Sequence, residues 1–204
     1  MAVLKILIFP DQRLRTVAKD VLEINDEVKK LSSDLLETMY KGNGIGLSAT
    51  QVNIHKKIVV VDVSEEKNSP LILINPKVEI LDPEERTYSE GCLSVPGFYE
   101  EVKRPSKIKI TAINLEKKEF SIEASDLLSV AVQHEMDHLE GRIFLDFLSN
   151  PCGTRTFACK YMSLPQNLES ISLLILICFV YSVSLVGSIG GISFSRVIFI
   201  VPDL

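Results

Sequence analysis

His134-Glu135-Met136-Asp137-His138 places two imidazoles four residues apart, with a carboxylate beside the first. In a helix of about 3.6 residues per turn, four residues return the second side chain to within about 40° of the first, so both can face one metal ion. Glu135 could then reach a water at that ion and act as general base. Two further islands carry candidate chemistry. Cys92 lies in Glu90-Gly91-Cys92-Leu93-Ser94-Val95-Pro96-Gly97, which reads as a tight loop just before a strand. Its thiolate could complete a Cys-His-His set, although a Cys in a Gly/Pro loop can equally be inert. Gly44-Ile45-Gly46-Leu47-Ser48-Ala49-Thr50-Gln51 matches G-x-G-x-x-A in outline. A dinucleotide loop must follow a strand and open a helix, whereas here a helix precedes and a strand follows. The glycines therefore suit a helix-ending loop. Gln51 is either an ordinary polar residue or an amide donor to an oxyanion.

The third metal ligand decides the class. A metzincin would continue H-E-x-x-H-x-x-G-x-x-H; Gly141 fits, but position 144 is Phe, which cannot bind a metal. A thermolysin-like enzyme takes a downstream Glu from a second helical domain. Here the tail offers Glu169 and Asp203 as its only carboxylates.

The elements that must hold these groups are legible in the periodicity. Asn25 or Asp26 can cap a helix whose apolar positions Val28, Leu31, Leu35 and Met39 recur until Gly42. KIVVVDV (57–63) and LILINPKVEIL (71–81), separated by a polar turn, predict strands. KIKITAIN (107–114) and EFSIEA (119–124) alternate apolar and polar residues and predict a hairpin around Glu116–Lys118. Ser125 or Asp126 then caps a helix that Gly141 ends. Leu127, Val130, Ala131, His134 and His138 share one face of it. This order of helices and mostly antiparallel strands predicts an α+β fold rather than an alternating parallel sheet.

The chain has 204 residues and a net charge of −5, with no long Lys/Arg cluster, so direct nucleic-acid binding is not expected. Cys92, Cys152, Cys159 and Cys178 lack the density and paired spacing of a disulfide scaffold, which points to a reducing compartment. Lys5 interrupts the apolar start and Pro10 follows, so no export signal is expected. Composition changes near Asn150. Residues 151–204 carry only Arg155, Lys160, Glu169, Arg196 and Asp203, and Ser170 to Ser195 is uncharged. We therefore expect a catalytic domain over 1–150 and an atypical apolar tail over 151–204.

GIGLSATQV, EGCLSVP and QHEMDHLEG, in this order and spacing, resemble the three signature motifs of the bacterial-type peptide deformylases, and the similarity runs to about Ser149. The resemblance implies a metal-dependent hydrolase, with mixed, mostly antiparallel sheets around a central HExxH helix. It would remove the N-formyl group from the formylmethionine of nascent polypeptides in the cytoplasm and release formate. It implies Cys92, His134 and His138 as metal ligands and Glu135 as acid/base. Gln51, through its amide, and Leu93, through its backbone N–H, would be donors to the formyl oxygen. It also implies Fe²⁺, with Zn²⁺ or Ni²⁺ as substitutes. Leu127, Val130 and Ala131, with Ile45 and Gly91, could form the pocket for the methionine side chain, while Leu128 and Val132 pack as core. The Gly46 backbone and the edge near Gly97 could bind extended peptide. The rival readings are a zinc peptidase using HEMDH and a metal-stabilised binding module in which Glu135 is dispensable.

The tail departs from the family, which continues with a basic helix that helps docking on the ribosome. That basic helix is missing here, which removes the expected basis for ribosome docking. The uncharged segment exceeds the roughly 20 residues that span a bilayer, so membrane contact follows only if it inserts. It reads as a tail anchor, as an apolar segment packed on the domain, or as a non-native end from a shifted reading frame. The last is favoured because composition and resemblance change together.

Overall fold

The structure, a computed structural model, describes residues 2–148. The expectations for the tail as anchor, packed segment or shifted-frame end, and those for membrane and ribosome, lie outside the described residues. Helix α1 (Asp26–Lys41) begins where Asn25 accepts a hydrogen bond from the Val28 N–H, satisfying one of the orphan donors of the first turn. It ends at Gly42. Val28, Leu35 and Met39 are buried, as their spacing requires, and Leu31 packs at the margin of the same cluster.

Strands β1 (Gly46–Ser48), β2 (Ile58–Val61), β3 (Leu71–Cys92), β4 (Val95–Ile113) and β5 (Glu119–Ser125) precede helix α2 (Asp126–Leu139). The strands form one sheet in the order β1-β2-β3-β4-β5, each neighbouring pair antiparallel. The one parallel contact among the described residues is an isolated bridge between Lys19 and Lys56.

The continuous apolar run of β2 has a direct cause in the layers around it. Val59 and Val61 join Leu73, Ile108, Ile110, Val132 and Leu139 in one core. Ile58 and Val60 join Leu35, Met39, Leu47 and Ile74 in the other. A strand covered on both faces has no polar side to alternate with. Each such side chain contributes about 1.5–3 kcal/mol when fully buried. In β4 and β5, by contrast, Ile108, Ile110 and Ala112 lie opposite Ala124, Ile122 and Phe120, and the intervening residues face outward.

The strand predicted over 71–81 runs on to Cys92, and β4 begins at Val95 rather than at Lys107. Cys92 pairs with Val95, so the motif read as a loop before a strand is a hairpin tip with Leu93 and Ser94 as its turn. From Asp82 to Ser106 these strands pair only with each other, a two-stranded ribbon that can accommodate Pro83, Pro96 and Pro105. Register shifts between Ile80 and Asp82, and between Asp82 and Glu85, bend a strand and re-aim what lies beyond.

At the C-terminal end of α2, Gly141 has φ +73° and lies against the Arg15 backbone, where any side chain would collide with it. The expected helix stop is therefore also a contact point with the N-terminal segment. Ser125 occupies the cap position of α2 but makes no side-chain cap hydrogen bond.

Candidate metal centre and its cleft

The ribbon tip and α2 meet at a thiol and two imidazoles. Ligand atoms of Cys92, His134 and His138 lie within 4.8 Å of one another, close enough to hold one ion. Cys92 Sγ is 3.1 Å from His138 Nε2. The two imidazole rings sit 5.0 Å apart, edge to face, and Phe144, which occupies the position where a third His would stand in a metzincin, lies 5.9 Å from the His134 ring. A thiolate with two neutral imidazoles suits a borderline-soft divalent cation and leaves a fourth position for a small molecule.

His134 is oriented by a residue to which the motif reading gave no role. Its Nδ1 lies 2.8 Å from Glu90 Oε2, which leaves Nε2 for a ligand. Glu90 is gripped by Arg104, whose Nε and Nη2 reach the two carboxylate oxygens at 2.7 and 3.0 Å. Arg104 also donates to Asp137 at 2.6 Å, so one buried guanidinium joins both strands of the ribbon to α2. Phe147 lies over that guanidinium at 4.8 Å. Burial opposes charge on Glu90, yet the hydrogen bonds from His134 and Arg104 hold its carboxyl below the ordinary range. Burial likewise opposes a charged His134, but hydrogen bonds to Cys92 and Glu90 raise its pKa. His138 is driven the other way by burial and by the neighbouring cations.

Glu135 projects from α2 toward β1. Burial pushes its carboxyl up to about 7, against the opposing pull of His134 and the Ser48 hydroxyl, and its Oε2 is buried without a hydrogen-bond partner. Gly46 makes room for it: a Cβ there would stand 2.5 Å from Glu135 Oε1. Gln51, buried on the 3-10 turn Ala49–Val52, accepts from the Ser48 N–H at 2.9 Å and from the Ser48 hydroxyl at 3.0 Å. Its Nε2 donates to Ser94 Oγ at 3.1 Å and points at Cys92 Sγ, 3.5 Å away.

These groups open on one cavity of about 470 Å³. Ile45, Gly46, Gly91, Leu127, Val130 and Ala131 all line it, together with Gln51, Cys92, Leu93, His134 and Glu135. His138 stands behind, 1% exposed. Val132 is buried in the sheet-side core and Leu128 packs against it. Tyr99, also on the wall, covers Gly91 closely enough that a side chain there would clash with its ring. Sequence reasoning missed Glu90, Arg104 and Ser48. The Ser48-x-x-Gln51 spacing of a capping box was the available signal for the last, while Arg104 announces itself only through tertiary register.

A Cys/His/His cluster, an adjacent buried carboxyl and an open cleft define the class of metal-dependent hydrolases. The chain belongs to the polypeptide deformylase family, whose profile matches residues 3–153. It is 55% identical over 150 residues to the peptide deformylase of Saccharophagus degradans, covering 74% of this chain and 87% of that one. Identity to the Acinetobacter baumannii peptide deformylase is 56% over 149 residues, 73% and 85% of the two chains. Among solved structures, an Ehrlichia chaffeensis peptide deformylase in complex with actinonin superposes with a TM-score of 0.77 at 35% identity, over 82% of this chain and 100% of that one. A Synechococcus elongatus peptide deformylase, also with actinonin, gives 0.73 at 38% identity over 77% and 85%. The activity of this family is metal-dependent removal of the N-formyl group from newly made polypeptides.

Proposed function

We propose that Cys92, His134 and His138 hold a divalent cation and that Glu135 is the acid/base of formyl hydrolysis in this chain. The observation that carries this reading is the convergence of the three ligand atoms and the partnerless Glu135 oxygen in one small region of the cleft. When bound, the cation supplies Lewis acidity toward the formyl oxygen and the attacking water. Glu135 takes the proton of that water as its oxygen adds to the formyl carbon, then delivers it to the departing amine nitrogen. A carboxyl that burial has made basic, fixed above Gly46, suits both transfers. Gln51 Nε2 and the Leu93 N–H at the hairpin turn donate to the tetrahedral oxyanion. Losing one such donor costs about 10²–10³ in rate.

Leu127, Val130, Ala131, Ile45 and Gly91 form the apolar wall that takes the methionine side chain. β1 is an edge strand on the same cleft, so main-chain pairing at Gly46 can hold an extended peptide without reading its sequence. The cation is Fe²⁺ on this reading, with Zn²⁺ and Ni²⁺ as substitutes; the thiolate accommodates all three. The catalytic unit on this reading is residues 1–150, in keeping with the family match ending at 153, and residues 151–204 are an atypical apolar tail. It acts in the cytoplasm, where its nascent formylmethionyl substrates are made.

The test is metal analysis of anaerobically prepared protein beside Cys92→Ser and His134→Ala. One equivalent of metal in the parent, and loss in both variants, is expected. A full equivalent retained by both would refute the ligand set. The zinc-peptidase alternative predicts cleavage of internal bonds in unformylated peptides, and this reading predicts none.

A further inference from the structure

Ser48 is a fully buried polar side chain at the site that the mechanism leaves unused. The Gln51 amide oxygen has two acceptor positions, and the Ser48 N–H and the Ser48 hydroxyl supply both donors, at 2.9 and 3.0 Å. An amide oxygen cannot donate, so in the Ser48–Gln51 contact the hydroxyl is the donor, in competition with the Glu135 carboxylate that it also faces. Thr50 Oγ1 lies 3.0 Å from Ser48 Oγ on the other side. When the Ser48 proton is on Gln51, the bond between the two hydroxyls forms with Thr50 as the donor. Thr50 Oγ1 also donates to the His138 carbonyl at 3.1 Å, whose second acceptor position takes the Gly141 N–H, so the Thr50 proton is shared between that carbonyl and Ser48 Oγ. With Thr50 turned to Ser48 and Ser48 to Gln51, the three groups form an aligned chain Thr50→Ser48→Gln51. All three residues are at most 1% exposed, and hydrogen bonds aligned in such surroundings polarise one another.

The consequence appears at the other end of the amide. With both lone pairs of Oε1 filled, a flipped amide would set NH₂ against the Ser48 N–H. Nε2 is thus held toward the reacting centre, with one hydrogen taken by Ser94 Oγ and the other directed at Cys92 Sγ. Donation into Oε1 also withdraws electron density from the amide nitrogen and makes its remaining N–H a stronger donor.

We propose that Ser48, backed by Thr50, is a positioning residue for the reaction: its hydroxyl orients and polarises the Gln51 amide that receives the oxyanion. This rests on the reading of Gln51 as an oxyanion donor. Because the contact matters when negative charge develops on the formyl oxygen, its loss should appear in kcat rather than in KM.

The experiment is a double-mutant cycle on formate release from a formyl-Met peptide by the metal-loaded full chain, using Ser48→Ala, Gln51→Ala and the pair. Ser48→Ala is expected to lower kcat about tenfold, the scale of one buried hydrogen bond, with KM within about twofold. Ser48→Thr, which restores a hydroxyl, should recover most of the loss. In the Gln51→Ala background Ser48→Ala should have no further effect. Thr50→Val, measured in the same way, should give a smaller loss that also vanishes without Gln51, and it serves if Ser48→Ala does not fold. A costly Gln51→Ala with a silent or fully additive Ser48→Ala overturns this inference alone. A Ser48→Ala loss that moves the acid limb of the pH profile and persists without Gln51 would place the hydroxyl's action at Glu135 and overturn it as well. A neutral Gln51→Ala would remove the donor reading and the inference with it.

Discussion

Gly46→Ala tests the geometry of the proposed base without touching a proposed ligand. The added Cβ would lie 2.5 Å from Glu135 Oε1, 3.0 Å from its Cγ and 3.1 Å from its Cδ. Ordinary contact needs about 3.4 Å or more, so the carboxyl must retreat by roughly 1 Å. Gly46 has no positive φ, so Ala brings no backbone strain, and its strand neighbours Leu47 and Ser48 are already buried. The whole effect should therefore fall on the carboxyl. A misplacement of about 1 Å in a reacting group costs on the order of 10² in rate. Steady-state formate release should show kcat reduced about 100-fold, with one equivalent of metal retained and the midpoint of thermal unfolding within a few degrees of the parent. A kcat within threefold of the parent, with metal bound, would refute the argument that Glu135 acts from the position Gly46 allows.

Other perturbations reach different parts of the account. Arg104→Met strips the shared guanidinium from two buried carboxylates, leaving Glu90 with His134 and Asp137 with the half-exposed Arg142, and denaturant unfolding should show a loss of about 3 kcal/mol. Val130→Phe fills the apolar wall and should raise KM for formyl-Met peptides at least tenfold while metal content stays at one equivalent. Tyr40 is held un-ionised to about pH 12 by burial, by its 2.6 Å hydrogen bond to Asp62 and by that carboxylate's charge. A raised folded-state pKa means its contribution to stability is complete below about pH 10, the ordinary Tyr value, and is lost as pH rises through about 12. Absorbance titration should show a late-ionising tyrosine that Tyr40→Phe abolishes.

The parts of this protein that sequence reveals are those whose signal is local. Val28, Leu35 and Met39 mark α1 because one helix face is buried, and Asn25 and Gly42 mark its ends. His134 and His138 share a face for the same reason, and the alternation in β5 follows from one covered side. The ribbon from Asp82 to Ser106 gave no such signal. From Pro83 to Ser89 all but Tyr88 is exposed, and the buried positions Val102, Arg104 and Ser106 of β4 are mostly polar, so no apolar alternation results, and Pro83, Gly91, Pro96 and Gly97 imitate a loop. Cys92 was recognisable by its motif, but only the register shifts between Ile80 and Glu85 account for a distant strand bending toward α2. Glu90 and Arg104 depend on that fold-back; their pairing is 14 residues apart in sequence and has no periodic signature.

The central claim is that this cleft hydrolyses a formyl group with Glu135 as the proton carrier. Its most direct test is formate released per formyl-Met peptide by anaerobically prepared, iron-loaded protein, measured beside Glu135→Gln with metal content determined in both. One formate per peptide from the parent, and almost none from the metal-loaded variant, is the predicted result. Comparable formate release by Glu135→Gln, or none from a fully metallated parent, would contradict the account.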